Sequence, residues 1–209
     1  MGAASARSGR IAFAAADPAF AILDANGRVI LERRGQIADF RYASRKLRLS
    51  ADGRVVETTF FVPDAPGNLK ARTLHGEIAE RRVTFAAAAT PGLRAPDTRG
   101  EAERNWNHTD QPRVRGKAVS LYPNERSRSL AFVPGSDAFA LGTEWNLRFF
   151  AASGRQSWVS PLPGIAWAVN VSGDGRHVVA GLSDGTLRWY STRDGAEVLA
   201  LFPDADPQR

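Results

Sequence analysis

The chain of 209 residues is 43% hydrophobic, contains no cysteine and carries a formal net charge of +6. The lack of cysteine excludes disulfides, thiolate metal sites and a cysteine nucleophile within this chain. The positive charge comes from arginines scattered among acidic residues, without a helix-turn-helix, RNA-recognition or zinc-finger pattern. We therefore do not expect a nucleic-acid partner.

Two apolar stretches, residues 11–16 and 83–89, are the longest in the chain and are far too short to span a membrane. Asp17 and Pro18 end the first stretch too early for a secretory signal. The sequence therefore favours a cytoplasmic protein without a membrane anchor.

The predicted elements begin after residues 1–9, a small and polar stretch that we expect to be a disordered tail. Residues 10–38 and 39–85 then form two units of short strands separated by turns. Residues 86–107 are dense in alanine, proline, glycine and charge, and we interpret them as an irregular insertion.

The second half of the chain has the clearest strand patterns. Residues 112–122 predict an outer strand pair around a turn at Arg115-Gly116, and residues 129–162 and 164–202 form a third and a fourth unit. Because each unit is a run of short strands with no room for helices, the sequence predicts an all-β fold over residues 10–209.

Internal repeats connect these units. The turn Ser-x-Asp-Gly-Arg occurs at residues 50–54 and again at residues 172–176, and the strand at residues 147–150 matches the strand at residues 187–190. A strand-and-turn unit that recurs about every 40 to 45 residues is typical of one β-propeller blade. The sequence therefore predicts about four antiparallel meanders, each a propeller blade.

Residues 184–188 have the sequence Asp-Gly-Thr-Leu-Arg and lead into the predicted third strand of their unit. This string gives the chain a resemblance to a known family. It resembles the WD-repeat family, whose third strand usually ends in Trp-Asp after such a lead. Here Tyr190-Ser191 and Phe150-Ala151 occupy that position, so the blades are degenerate and Asp24 alone can supply part of the family's Asp-centred hydrogen-bond network. The resemblance implies a non-catalytic scaffold that binds proteins or regulates them.

A narrower resemblance involves residues 126–131, 142–145 and 166–170. These strings are similar to the propeller region of bacterial proteins that join WD-like repeats to a caspase-like peptidase. The resemblance implies a protein partner or a fused effector domain, such as a caspase-like one, outside this chain.

The number of units leaves the closure of the ring open. A seven-bladed ring needs about 300 residues at the usual blade length. Four units can close as a small ring, continue in further sequence or be completed by another chain. An open propeller exposes a strand edge and an apolar face, so we expect this chain to be part of a larger or incomplete propeller.

The candidate chemistry does not favour an enzyme. His75, His108 and His177 are the only histidines, and none has metal-ligand spacing to another. Asp24 begins a string that resembles a calcium loop but lacks the downstream acid, so a hairpin turn explains it better. We predict no catalytic residues, no metal and no cofactor.

Two alternative functions remain open at this point. A propeller enzyme would gather acids and histidines around the central channel, and the sequence marks no such cluster. A ligand-sensing or cofactor-binding propeller would place tryptophans at one fixed position in every blade, whereas Trp106, Trp158 and Trp189 fall at unequal positions.

Blade geometry predicts the binding surface. Because strands alternate in direction, the loop entering the first strand and the turn between the second and third strands lie at the same end of a blade. Tryptophan and arginine are enriched at interface hot spots. The candidate partner face consists of Glu125, Arg126, Arg128, Glu144, Trp145 and Trp167.

A packing role is the alternative for the same side chains. Trp167 would then fill the space between two blades, and Trp145 would pack on its neighbour with Arg126 or Arg128 stacked over it.

Overall fold

The computed structural model describes residues 2–5, 11–15, 19–26, 28–34, 38–41, 43, 46–65, 68–77, 82–85, 90–99, 105–201 and 203. Within these residues the chain is almost entirely β-strand and turn, and it contains no α-helix. The strands form four four-stranded antiparallel sheets and one separate two-stranded hairpin. The predicted all-β fold of four meanders is confirmed.

Sheets 1 and 2 come from the first half of the chain, and in both the strands neighbour each other in chain order. The strands of sheet 1 are β1 (Gly2–Ser5), β2 (Ile11–Ala15), β3 (Ala19–Leu23) and β4 (Val29–Arg34). The strands of sheet 2 are β5 (Arg48–Leu49), β6 (Val55–Ala65), β7 (Asn68–Glu77) and β8 (Arg82–Phe85).

The second half begins with the hairpin of β9 (Arg113–Val114) and β10 (Lys117–Ala118). Sheet 3 follows, with β11 (Ser127–Phe132), β12 (Phe139–Thr143), β13 (Asn146–Phe150) and β14 (Gln156–Pro161). Sheet 4 consists of β15 (Ala166–Val171), β16 (His177–Leu182), β17 (Leu187–Ser191) and β18 (Glu197–Leu201).

The repeated Ser-x-Asp-Gly-Arg string forms the same turn in sheets 2 and 4. In sheet 4, Ser172 Oγ accepts the His177 N–H (3.0 Å), and Asp174 Oδ1 accepts the Arg176 N–H (3.0 Å). Gly175 has a φ of 72°, which favours glycine because it has no Cβ. The turn after β5 makes the same bonds from Ser50 and Asp52. The local sequence thus determines both hairpins.

The N-terminal residues differ from the sequence-based expectation. The sequence predicts a disordered tail for residues 1–9. In the structure, Gly2–Ser5 forms β1, which pairs with β2. Alanine and serine have weak strand propensity, but pairing with the apolar β2 supplies the backbone hydrogen bonds that the local sequence does not predict. In the same sheet, Asp24 accepts the N–H groups of Asn26 and Arg28 (both 2.9 Å), as expected for a hairpin turn.

Sheet 4 lies between sheets 3 and 2, so the order in space is not the order in the chain. One face of sheet 4, with Val169, Val178 and Tyr190, packs against sheet 3. The other face, with Val179 and Trp189, packs against sheet 2. The first strands of the three sheets, β11, β15 and β5, run side by side. Radial sheets with neighbouring first strands are the arrangement of propeller blades.

The predicted outer strand pair at residues 112–122 forms, but it does not extend the edge of a blade. Val114 and Val119 pack against Phe139 and Phe150 on the far face of sheet 3. The hairpin is a separate sheet that covers this face. The reason is apolar burial, since the face of sheet 3 would otherwise be exposed to water.

Part of the predicted irregular insertion, residues 90–99, follows a fixed course that we call the strap. It has no regular secondary structure apart from a bridge, in which Leu49 and Arg94 exchange backbone hydrogen bonds (3.0 and 2.9 Å). The buried Asn170 donates from Nδ2 to the carbonyls of Leu47 (2.7 Å) and Arg94 (2.9 Å). The Phe132 N–H donates to the Asp97 carbonyl (2.8 Å). The strap therefore crosses the first strands of sheets 2, 4 and 3 in turn.

Replacing Asn170 with alanine tests the strap. The change removes both donations and leaves the Leu47 carbonyl without this donor, whereas the Arg94 carbonyl keeps the Leu49 N–H. We therefore expect a loss of about 1 to 3 kcal/mol in the free energy of unfolding. Trypsin should then cleave faster after Arg94 and Arg99 in the native protein. Cleavage after Arg193, in an exposed turn of sheet 4, is the internal control. Equal acceleration at all three sites would mean that Asn170 does not hold the strap specifically.

Candidate interaction surface

The candidate site lies at one end of sheets 3 and 4, where β11 and β15 begin and β12 turns into β13. The guanidinium of Arg128, at the start of β11, forms an ion pair with Glu144 in that turn. It also stacks over the ring of Trp167 on β15, 5.2 Å from the ring centre. The structure thus brings together three of the predicted residues from two adjacent sheets.

His108 is a fourth member of this cluster, and sequence reasoning did not identify it. Its Nδ1 accepts a hydrogen bond from the Arg128 guanidinium (2.5 Å). Burial and the positive charge of Arg128 lower the pKa of His108, so the imidazole is neutral and can accept this bond. His108 precedes β11 in an irregular segment and has a φ of 55°. No pattern in the sequence points to its position beside Arg128.

Arg126 and Trp145 are exposed residues at the same end of the sheets. The Glu144 N–H donates to the Arg126 carbonyl (3.1 Å). This bond places Arg126, just before β11, beside Glu144, just after β12. Trp145 is 47% exposed. Its backbone is fixed, because its carbonyl accepts the Leu162 N–H (2.8 Å) and its N–H donates to Thr143 Oγ1 (3.3 Å). A large aromatic side chain is therefore held in water by a rigid turn.

Glu125 is not a contact residue, which corrects the sequence-based expectation. Its side chain is fully buried and pairs with Arg148 on β13 (2.5 Å). It also accepts hydrogen bonds from Thr143 Oγ1, from Asn146 Nδ2 (2.9 Å) and from the Tyr122 N–H (2.9 Å). A carboxylate enclosed by four donors cannot reach a partner. Its role is to connect the loop before β11 to the turn that carries Trp145.

The environment keeps Glu125 ionised. Burial acts to raise the pKa of this carboxyl, but hydrogen bonds from Arg148, Thr143 and Asn146 together hold the pKa of Glu125 below its ordinary value. Arg148 in turn lies over the ring of Tyr122, 4.4 Å from its centre. A buried, ionised pair of this kind fixes the geometry of the loop around it.

The sequence left open whether Trp167 belongs to the partner face or fills the space between two blades. In the structure it packs between blades and also contacts Arg128 at the candidate site. It is half-buried and packs against the core shared by sheets 2 and 4, so it fills space between blades. Its ring also carries Arg128, whereas the sequence-based alternative placed such a stack on Trp145. We use the name tryptophan surface for His108, Arg126, Arg128, Glu144, Trp145 and Trp167.

The described residues contain no group of three or more His, Asp or Glu side chains placed to hold a metal ion. Among them His75 interacts with Glu77 and Thr90 (both 3.1 Å) on sheet 2, and His177 lies at the start of β16. The structure brings neither histidine to the tryptophan surface. Within the same part of the chain, no helix is long and apolar enough to cross a membrane.

Comparison with known proteins adds little to this geometry. No protein-family model matches the chain, and no curated protein matches it. Among solved structures, the chain is similar to the β-propeller domain of Cps50 (Swd1) from Myceliophteria thermophila, with 16% identity and a TM-score of 0.33 over 90% of this chain. The chain spans 64% of the length of that structure. The assignment of the sheets as propeller blades rests on their topology and packing.

Proposed function

We propose that this chain is a non-catalytic protein-interaction module, built on WD-like propeller blades, that binds a protein partner through the tryptophan surface. The observation that carries the proposal is Trp145, a half-exposed indole on a turn fixed by backbone and buried side-chain hydrogen bonds. Burying such a ring against a partner removes a large apolar area from water at little cost in conformational entropy. Rigid aromatic anchors are typical of interface hot spots.

The position of the strap favours an interaction module over an enzyme or a ligand sensor. Propeller enzymes and sensors place their chemistry around the channel that the first strands enclose. Here Arg94 and Asp97 of the strap bond to the first strands β5 and β11, so the chain's own backbone lies against these first strands. The proposed function therefore uses the loop end of the blades rather than their centre.

We expect Trp145→Ala to weaken partner binding by about 2 kcal/mol, or roughly thirtyfold in affinity, which is the scale of a hot-spot residue. The measurement is capture of native partners on the immobilised protein, followed by titration of the captured protein. Val198→Ala is the matched control, because Val198 is another large exposed hydrophobic residue but lies on the outer strand β18.

Thermal melts of each variant separate binding from folding. A Trp145→Ala, Arg126→Ala double variant that melts like the wild type and still captures the same partner would contradict the proposed site. A large fall in melting temperature would instead assign these residues to packing.

The identity of the partner is a further part of the proposal. The resemblance of residues 126–131, 142–145 and 166–170 to propellers joined to a peptidase supports a caspase-like effector domain as one partner. Reading the gene on both sides of this segment tests that part, and its failure leaves the proposed surface intact.

A further inference from the structure

Charged side chains at and near the tryptophan surface differ in whether they form an ion pair. The Glu144 carboxylate pairs with Arg128, and Glu125 pairs with the buried Arg148. Asp184, at the same end of sheet 4, pairs with Arg188 (3.3 Å). Each of these acids is therefore neutralised by a neighbouring arginine.

Arg126 is the exception. Its side chain is exposed, and among the described residues no carboxylate pairs with it. Arg128, two residues further on, has its guanidinium bonded to Glu144 and His108 and stacked on Trp167. Arg126 is thus the arginine of this surface that is available to a partner's carboxylate.

The exposed cation and the exposed indole are neighbours. The hydrogen bond from the Glu144 N–H to the Arg126 carbonyl sets Arg126 beside the turn that carries Trp145. A partner that binds both needs a negative charge and an apolar side chain close together. The net charge of +6 on the whole chain also favours approach of an acidic molecule, since long-range attraction raises association rates.

From this charge complementarity we infer that the tryptophan surface binds an acidic peptide segment, with a carboxylate on Arg126 and an apolar side chain on Trp145. The inference rests on the proposed function and names the chemical class of the partner. Arg128, Glu144 and His108 act as positioning residues that hold Trp167 and the turn in place.

Fluorescence polarisation with two labelled peptides tests the inference. One peptide alternates Glu and Leu, and the other alternates Gln and Leu with the same length and label. The wild-type protein should bind the Glu peptide at least about tenfold more tightly than the Gln peptide. Arg126→Glu should weaken binding of the Glu peptide by about tenfold and leave the Gln peptide unchanged. Trp145→Ala should weaken both.

Arg193→Glu is the matched control, because the Arg193 side chain is 88% exposed in the turn between β17 and β18, at the opposite end of sheet 4. It makes the same change in net charge. Equal losses in Arg126→Glu and Arg193→Glu would show diffuse charge attraction and overturn the inference. Equal binding of the two peptides would also overturn it.

The same variants distinguish a wrong chemical class of partner from a wrong binding surface. If Trp145→Ala abolishes capture of the native partner but Arg126→Glu does not, the surface stands and the acidic class is wrong. If Trp145→Ala leaves capture unchanged, the surface itself is wrong, whatever the peptides do.

Discussion

Replacing Trp189 with alanine is expected to lower the free energy of unfolding by about 3 to 5 kcal/mol, the usual cost of truncating a buried aromatic residue. Trp189 is fully buried on β17, in the core shared by sheets 4 and 2. Its indole N–H donates to the Gly53 carbonyl in the turn of sheet 2 (2.9 Å). The variant therefore loses apolar contact and the hydrogen bond between the two sheets at once.

Urea unfolding followed by circular dichroism measures this loss. Trp189→Phe is the control, since it keeps most of the ring but removes the hydrogen bond, and we expect it to cost about 1 to 3 kcal/mol from the unsatisfied carbonyl. A cost below about 1 kcal/mol for the alanine variant would contradict the packing of sheet 2 on sheet 4.

Replacing Glu125 with alanine is expected to cost a similar amount, about 3 to 5 kcal/mol, because it leaves the Arg148 charge buried without its carboxylate. Only 3% of the Arg148 side chain is exposed. Gln156 Oε1 still accepts one guanidinium N–H (2.7 Å), but an amide oxygen does not neutralise the charge. The measurement is again the free energy of unfolding in urea.

A double variant separates the lost pair from the lost volume. Glu125→Gln with Arg148→Met removes both charges together, and we expect it to be markedly more stable than Glu125→Ala, since replacing a buried pair is much cheaper than breaking it. If the double variant is less stable than Glu125→Ala, the ion pair is not the main contribution of these residues.

Acid titration of the wild-type protein provides a second readout on Glu125. Its pKa is lowered in the folded state, so its contribution to stability is complete above the unfolded-state pKa, near the ordinary value of 4.5. That contribution is lost as the pH falls below this value and through the lower folded-state pKa. The pH dependence of stability below this value should therefore be flatter in Glu125→Gln than in the wild type.

The tryptophan surface shows how far sequence reasoning reached. Strand direction predicted that Arg128, Glu144 and Trp167 lie at one end of two adjacent blades, and in the structure Arg128 contacts both Glu144 and Trp167. The same reasoning was wrong about Glu125, because a charged residue in a loop is usually exposed and its buried partner Arg148 lies two strands away. His108 was missed because its contact with Arg128 depends on the course of an irregular segment.

The resemblance to WD repeats did not identify the hydrogen-bond network that the structure shows in sheet 3. The Trp-Asp pair and its hydrogen-bond network were expected to be mostly absent. In sheet 3, Glu125 connects Thr143, Asn146 and Arg148, so a different acid joins the loop before the first strand to the second and third strands. Chemistry of this kind cannot be found by matching residue types to a motif, because another residue type at another position makes the connection.

The sequence by itself determined the local structure: the strand and turn pattern, the Ser-x-Asp-Gly-Arg hairpins and hence the all-β blades. These depend on backbone preferences and on hydrogen bonds within a few residues, as between Ser172 and His177. The tertiary structure alone decided that sheet 4 lies between sheets 3 and 2, that the strap crosses their first strands, that Glu125 is buried and that Trp145 is exposed. Those features depend on contacts between residues far apart in the chain, such as Trp189 with Gly53 and Asn170 with Leu47, which local patterns do not encode.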